Sequence, residues 1–297
     1  MDYLLQITYY DLWMDIFSLL NIRSKLAIRF ICHDFLENFF ISDTFDIRVS
    51  MFNKLNTKMM CQLCHNIRFK SFHYSDPFKK FIDFQGTRFT NYLKILYANS
   101  KDSGFNDHNI RGLDLVELHT DNNPFISDIS HMKNLKILSA TEHFGDCGIS
   151  DWSIQGLDLI ELSVDYNNKV TNVSFMHNLR KLSASGNCGV DNVGIQGLNL
   201  IELNVGNNPK ITNISFIYNL KILYAYENSG IDDAGIYGLD LIELNARDNP
   251  KITNVTFMKN LKILFACGNC GIGNAGIAGL NIKEIYPAGN SSLREAS

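Results

Sequence analysis

From residue 93 onward the apolar positions recur as one phrase, L-x-x-L-x-L-x-x-N-x-x-I. It is clear at Leu200, Leu203, Val205, Asn208 and Ile211 and returns at Leu220, Leu223, Ala225, Asn228 and Ile231. The phrase opens at Leu93, Leu115, Leu135, Leu159, Leu179, Leu200, Leu220, Leu241, Leu261 and Ile282, a unit of 20 to 24 residues. Alternation across its second half is the period of a half-buried strand. The pattern therefore predicts one short strand per unit, with Leu203 and Val205 inward and Glu202, Asn204 and Gly206 toward solvent. The recurring asparagine (Asn123, Asn167, Asn187, Asn208, Asn228, Asn249, Asn269, Asn290) is expected to turn inward and satisfy backbone groups where the chain leaves the strand.

The units alternate in kind. Glycines at 156, 197, 238 and 279 mark a double period of 41 residues, and segments such as ITNISFIYNL and GIDDAGIYGL alternate after the strands. So short a unit leaves no room for a long helix beside its strand, so single 3-10 turns or loops are expected on the far side. Glycines 194, 235 and 276 are expected to serve tight turns there. Period and phrase together predict an α/β solenoid, a leucine-rich repeat horseshoe with a parallel β-sheet on the concave side and a short 3-10 or loop convex side, over 93–297.

Composition is ordinary for a folded chain: 297 residues, 45% apolar, 20% charged, net charge −4. Without a basic stripe, a signal sequence or a long apolar run, neither nucleic acid nor membrane is expected as a partner, and a cytoplasmic or nuclear location is the default. The seven cysteines fit a reducing compartment. Cys147, Cys188 and Cys270 share a column with Ser229 and are expected to be buried small side chains. Cys61, Cys64 and His65 are read as packing residues rather than a haem or zinc site. The repeated Asn-x-Ser/Thr triplets at Asn172, Asn213 and Asn254 are read as polar turns. No cofactor is expected, and no nucleophile, base or phosphate loop suggests catalysis.

Residues 10–40 differ from the repeats. Leu12, Ile16, Leu19 and Leu20 fall at helical spacing, a polar break follows at Asn21, and Leu26, Phe30, Ile31 and Phe35 continue. Two short amphipathic helices are predicted. The stretch DIFSLLNIRSKLAIRFICHDFLENF is similar to an F-box: Leu12, Ile16, Phe17, Leu20, Leu26, Ile31, Cys32 and Phe35 take the family's apolar places, with Trp13 where it usually has proline. The whole chain resembles F-box and leucine-rich-repeat proteins, and its Asn, Ile, Lys, Phe and Tyr rich vocabulary resembles those of giant amoeba-infecting viruses, which would place it in the host cell. The resemblance implies a non-catalytic substrate receptor: Leu12, Ile16, Phe17, Leu20, Leu26, Phe30 and Ile31 would contact a Skp1-like adaptor of a cullin ubiquitin ligase, and the repeats would hold an unknown protein substrate. The alternatives are that this segment merely caps the solenoid, and that the chain is an interaction scaffold with no ubiquitin link.

The organisation expected is thus 1–45 F-box-like, 46–92 linker and degenerate first repeat, and 93–297 solenoid. Phe69, Phe72 and Tyr74 carry the spacing of that first repeat, and 43–64 is expected to be a linker helix. On the solvent face, Glu117, Glu161, Glu202, Glu243 and Glu284 form a column. Lys94, Lys136, Arg180, Lys221 and Lys262, one residue back on the intervening strands, are expected to offset it. Tyr224, Tyr226, Phe265 and Tyr286 with Arg247 depart from that lattice toward the carboxy end. They are the composition of a protein-binding hot spot, and the sequence nominates them as the partner-binding residues; the alternative is that these aromatics lie flat on neighbouring strands and stabilise the sheet.

Overall fold

The computed structural model describes the backbone of Ile41–Arg48 and Ile67–His73 and the whole of residues 93–293. It is a parallel β-solenoid. Among the described residues twelve strands form one sheet in chain order. They are β1 (Ile41–Arg48), β2 (Ile67–His73), β3 (Ile95–Tyr97), β4 (Glu117–His119), β5 (Ile137–Ser139), β6 (Glu161–Ser163), β7 (Lys181–Ser183), β8 (Glu202–Asn204), β9 (Ile222–Tyr224), β10 (Glu243–Asn245), β11 (Ile263–Phe265) and β12 (Glu284–Tyr286). Every neighbouring pair is parallel, and from β3 on the middle leucine of one strand faces that of the next: Leu96, Leu118, Leu138, Leu162 and onward to Ile285. The strands are short because each unit must also return to the start of its neighbour.

The columns read from the sequence are the core. Leu115, Leu118, Leu200, Leu203, Val205 and Ile211 are fully buried, whereas in the last unit Ile282 is half-buried and Ile285 exposed. Behind the strands the chain makes single turns. The helical ones are α1 (Asp107–Ile110) and α2 (Asp151–Ile154), with 3-10 turns at Lys101–Ser103 and Asn274–Ile277. Both α turns begin in a capping box, Asn106 with Asn109 and Ser150 with Ser153, which closes the first turn without help from length. Across this side Asp107, Asp151 and Asp233 each accept bonds from the backbone one unit on, for example Thr171 N at 2.7 Å and Asn172 N at 3.1 Å to Asp151.

The asparagine column divides by parity. Asn123, Asn167, Asn208, Asn249 and Asn290 are buried. Asn208 Nδ2 donates to the Ala184 carbonyl at 2.8 Å and the Val190 carbonyl at 3.2 Å, both in the preceding turn, while its Oδ1 accepts from Lys210 N at 3.0 Å. Asn167, Asn249 and Asn290 repeat the pattern. Asn187, Asn228 and Asn269, expected to do the same, are exposed. The next residue replaces them inside: Cys188, Ser229 and Cys270, with Cys147 in the same column. Burial pushes the thiols of Cys147 and Cys188 up to about 11 and about 12, so both stay neutral and pack as small apolar groups.

Glycines 194, 235 and 276 have a different reason from the tight turns expected. None has a positive φ. A Cβ on each would instead run into the carbonyl oxygen of Thr171, Thr212 or Thr253, because successive turns approach backbone to backbone there. The triplets at Asn172, Asn213 and Asn254 are polar turns as read: each side-chain oxygen accepts from the backbone and hydroxyl of the Ser or Thr two residues on.

Two readings of 41–92 receive separate answers. β2 pairs with β3 so that Phe72 faces Leu96, the register the Phe69-Phe72-Tyr74 phrase requires of an extra repeat. The linker helix expected from residue 43 is corrected, since Ile41–Arg48 is a strand paired with β2. Over residues 45–48 its sequence alternates apolar and polar residues, a strand period rather than a helical one. The adaptor-contact residues between Leu12 and Ile31, and Cys61, Cys64 and His65, lie outside the described residues. Among the described residues no helix is long and apolar enough to cross a membrane.

The parity of the asparagines sets a stability test. Asn208→Ala should cost about 2 kcal/mol, because it strips two buried carbonyls of their donor. Asn187→Ala, at the same place in the phrase, should stay within about 0.5 kcal/mol; urea denaturation of the two variants reads the difference. A second test is acid titration. Asn134, Asn178 and Asn260 hydrogen bond Asp114, Asp158 and Asp240 and hold these carboxyls below their usual 3.8. A carboxyl depressed in the folded state stabilises fully above its unfolded value and loses that contribution as pH falls through the folded one. The melting temperature should therefore drop as pH is taken below about 4, and less so in Asn134→Ala/Asn178→Ala.

Candidate functional site

The solvent face of the sheet carries three outward columns, fixed by the two-residue period of each strand. The first is the glutamate column with Ile95, Ile137, Lys181, Ile222 and Ile263 between its members. The second, two residues on, runs Tyr97, His119, Ser139, Ser163, Ser183, Asn204, Tyr224, Asn245, Phe265, Tyr286. The third lies just past the strands and includes Asp121, Asp165, Gly206, Tyr226 and Arg247.

Side-chain size along the second column shapes the surface. Ser139, Ser163, Ser183 and Asn204 floor a cavity of about 340 Å³ that ends at His119 on one side and Tyr224 on the other, with Glu161, Lys181 and Glu202 along its margin. Two of the serines, Ser139 and Ser183, are pinned. Asp121 accepts from Ser139 Oγ at 2.6 Å and Thr141 N at 3.0 Å, and Asp165 accepts from Ser183 Oγ at 2.6 Å and Ser185 N at 2.7 Å. These two acids thus order the floor. The sequence nominated the aromatic end and passed over this trough, although the run of small residues in one outward column is visible once the columns are aligned.

The structure places the five nominated residues on this face but divides them. Phe265 and Tyr286 stack on each other, ring centroids 4.5 Å apart and planes within 7°. Tyr226 lies flat over Gly206, where a Cβ would collide with its ring, and Arg247 stands 5.5 Å above the Tyr226 centroid while pairing with Glu227. Tyr224 stands apart, between Asn204 and Asn245 in register, at the wall of the trough. The opposite wall is a stacked pair too: Tyr97 and His119, 4.2 Å apart, both bonded to Glu117, at 3.2 and 2.7 Å.

The charge lattice differs from the one expected. Lys94 and Lys136 turn to the sheet margin and pair with Asp114 and Asp158 at 3.0 and 3.1 Å, and Arg180 and Lys221 bond the Asn199 and Asp240 carbonyls there. A residue one place before an outward position points along the sheet edge, so these cations leave the glutamates to themselves. Lys181 alone enters the column from β3 to β12, 3.5 Å from Glu161 and 3.8 Å from Glu202. The face is therefore acidic. Burial, with Glu243 and Glu202 nearby, raises the Tyr224 hydroxyl above its usual 10.0.

Among the described residues no three His, Cys, Asp or Glu side chains are grouped to hold a metal ion. Cys267 takes the half-exposed outward column and Cys270 the buried one. The chain matches no protein-family model and no curated protein.

The Tyr224 environment is directly measurable. Glu243→Gln should lower the Tyr224 ionisation toward 10 without abolishing the elevation, since burial remains. A spectrophotometric titration of that variant beside the wild type and Tyr224→Phe reads it.

Proposed function

We propose that the chain is a non-catalytic substrate receptor. Its solenoid is of the leucine-rich-repeat horseshoe kind, with the sheet on the concave side, and that face captures a target protein. Residues 10–40 act as an F-box, with Leu12, Ile16, Phe17, Leu20, Leu26, Phe30 and Ile31 docking on a Skp1-like adaptor of a cullin ubiquitin ligase. The observation that supports target capture is a sheet face whose second outward column changes from tyrosine through serine to asparagine and phenylalanine while the middle inward position is leucine in every strand from β3 to β11. The leucine and asparagine columns hold the solenoid from behind, so outward positions are free to differ from strand to strand and to fit a partner. The F-box half of the reading is supported by the resemblance of residues 10–40 alone.

A second reading has one observation in its favour. β1 begins at Ile41, immediately after the helical pattern ends. A segment so placed is positioned in sequence to cap the first strand, in which case the chain is an interaction scaffold without a ubiquitin link. A pull-down of the full chain with a purified Skp1-like adaptor separates the two. The wild type should be retained and Ile16→Asp/Leu20→Asp lost by at least about tenfold, equivalent to about 1.4 kcal/mol, with circular dichroism and the melting temperature of the repeats unchanged. Equal retention of both proteins, or none of either, makes the segment a cap.

A further inference from the structure

We infer that the partner segment held on the sheet face is cationic: an extended stretch of a partner protein with a lysine or arginine at about every third residue, laid across the strands along the glutamate column. This rests on the receptor reading above and specifies its target chemistry. Three features of the face lead to it.

First, the column is acidic and only partly compensated, with Lys181 between Glu161 and Glu202 and His119 beside Glu117. Glu117, Glu161, Glu202, Glu243 and Glu284 recur on alternate strands, and the lysines one residue back are spent on the sheet margin. Lys181 is the one cation in the column between β3 and β12. A face of one sign attracts and orients a segment of the other.

Second, the spacing fits one backbone form. Neighbouring strands lie about 4.8 Å apart, which sets glutamates on alternate strands about 10 Å apart. A polyproline-type chain repeats every three residues and advances about 9.3 Å in doing so, which keeps every third side chain on one side and in step with the column. A β-strand ligand repeats every two residues, at about 7 Å, and falls out of step. The small-residue floor at Ser139, Ser163 and Ser183 leaves room for such a backbone between His119 and Tyr224.

Third, the chain already holds a cation in this manner. Arg247 sits over the Tyr226 ring and pairs with Glu227, a guanidinium received by one aromatic face and one carboxylate. Tyr224, flanked by Glu202 and Glu243 on the adjoining strands, offers the same two groups at the trough wall.

The test uses the full chain and a fluorescein-labelled peptide of five Lys-Pro-Ser units, read by fluorescence anisotropy. A peptide of equal composition with its lysines clustered at one end and one of five Glu-Pro-Ser units serve as controls. The spaced lysine peptide should bind tightest, weaken several-fold between about 50 and 300 mM salt, and weaken by about tenfold on Glu202→Gln/Glu243→Gln. Lys181→Gln should tighten it, a gain that a merely structural role of the column would not give. Absence of binding, equal binding of the clustered peptide, or indifference to all three substitutions overturns the proposal. The adaptor pull-down is scored on the same preparations. Adaptor binding without peptide binding removes the cationic target and leaves the receptor, whereas peptide binding without adaptor binding removes the ubiquitin link and leaves the surface.

Discussion

The structure depends on a side-chain amide that belongs to one turn and serves the one before it. A solenoid with such short strands closes each coil without long helices, so the carbonyls at the strand ends have no helical partner. Asn123, Asn167, Asn208, Asn249 and Asn290 supply one, and because every amide reaches back by a full turn, the same bonds that satisfy the backbone also staple consecutive coils. Leaving those carbonyls bare in an apolar interior would cost more than the bond itself is worth. The leucine columns give the burial that drives folding, but they are non-directional. The amides fix where each coil ends.

The alternate turns solve the same problem with less. Their inward position holds cysteine or serine, and the glycine that follows lies so near the preceding coil that a Cβ at Gly189 or Gly230 would meet its carbonyls. The coil is drawn in by backbone contact rather than by an amide. Lys210 and Lys251 then reach across to the carbonyls of Cys188 and Ser229, each at 2.9 Å. Strong and light turns alternate, which is the physical content of the 41-residue double period.

Much of this was legible in the sequence and some was not, for identifiable reasons. The strands, their direction and the inward leucines follow from a phrase that repeats with a two-residue alternation inside it. The parity of the asparagines does not, because Leu179 to Asn187 and Leu200 to Asn208 have the same spacing; what separates them is the Cys-Gly pair after Asn187, whose effect is steric and appears only when coils are stacked. The glutamate column was readable, but the fate of Lys94 and Lys136 was not, since a residue at the strand's mouth chooses between face and margin by which carboxylate is in reach. The nominated aromatics do lie on the solvent face of the sheet. Their division into satisfied pairs and the separate Tyr224 is a matter of cross-strand stacking that no single strand reveals.

A fold held from behind leaves its front free, and the proposed function gives the front and residues 10–40 to two different partners. Hydroxyl-radical footprinting of the full chain with the adaptor and the spaced lysine peptide together tests that division most directly, because both segments contain oxidisable aromatic residues. Two separate footprints are expected: Phe17 and Phe30 shielded by the adaptor alone, and Tyr224 shielded by the peptide alone. Shielding of the sheet-face residue by the adaptor, or of the amino-terminal pair by the peptide, would contradict that division.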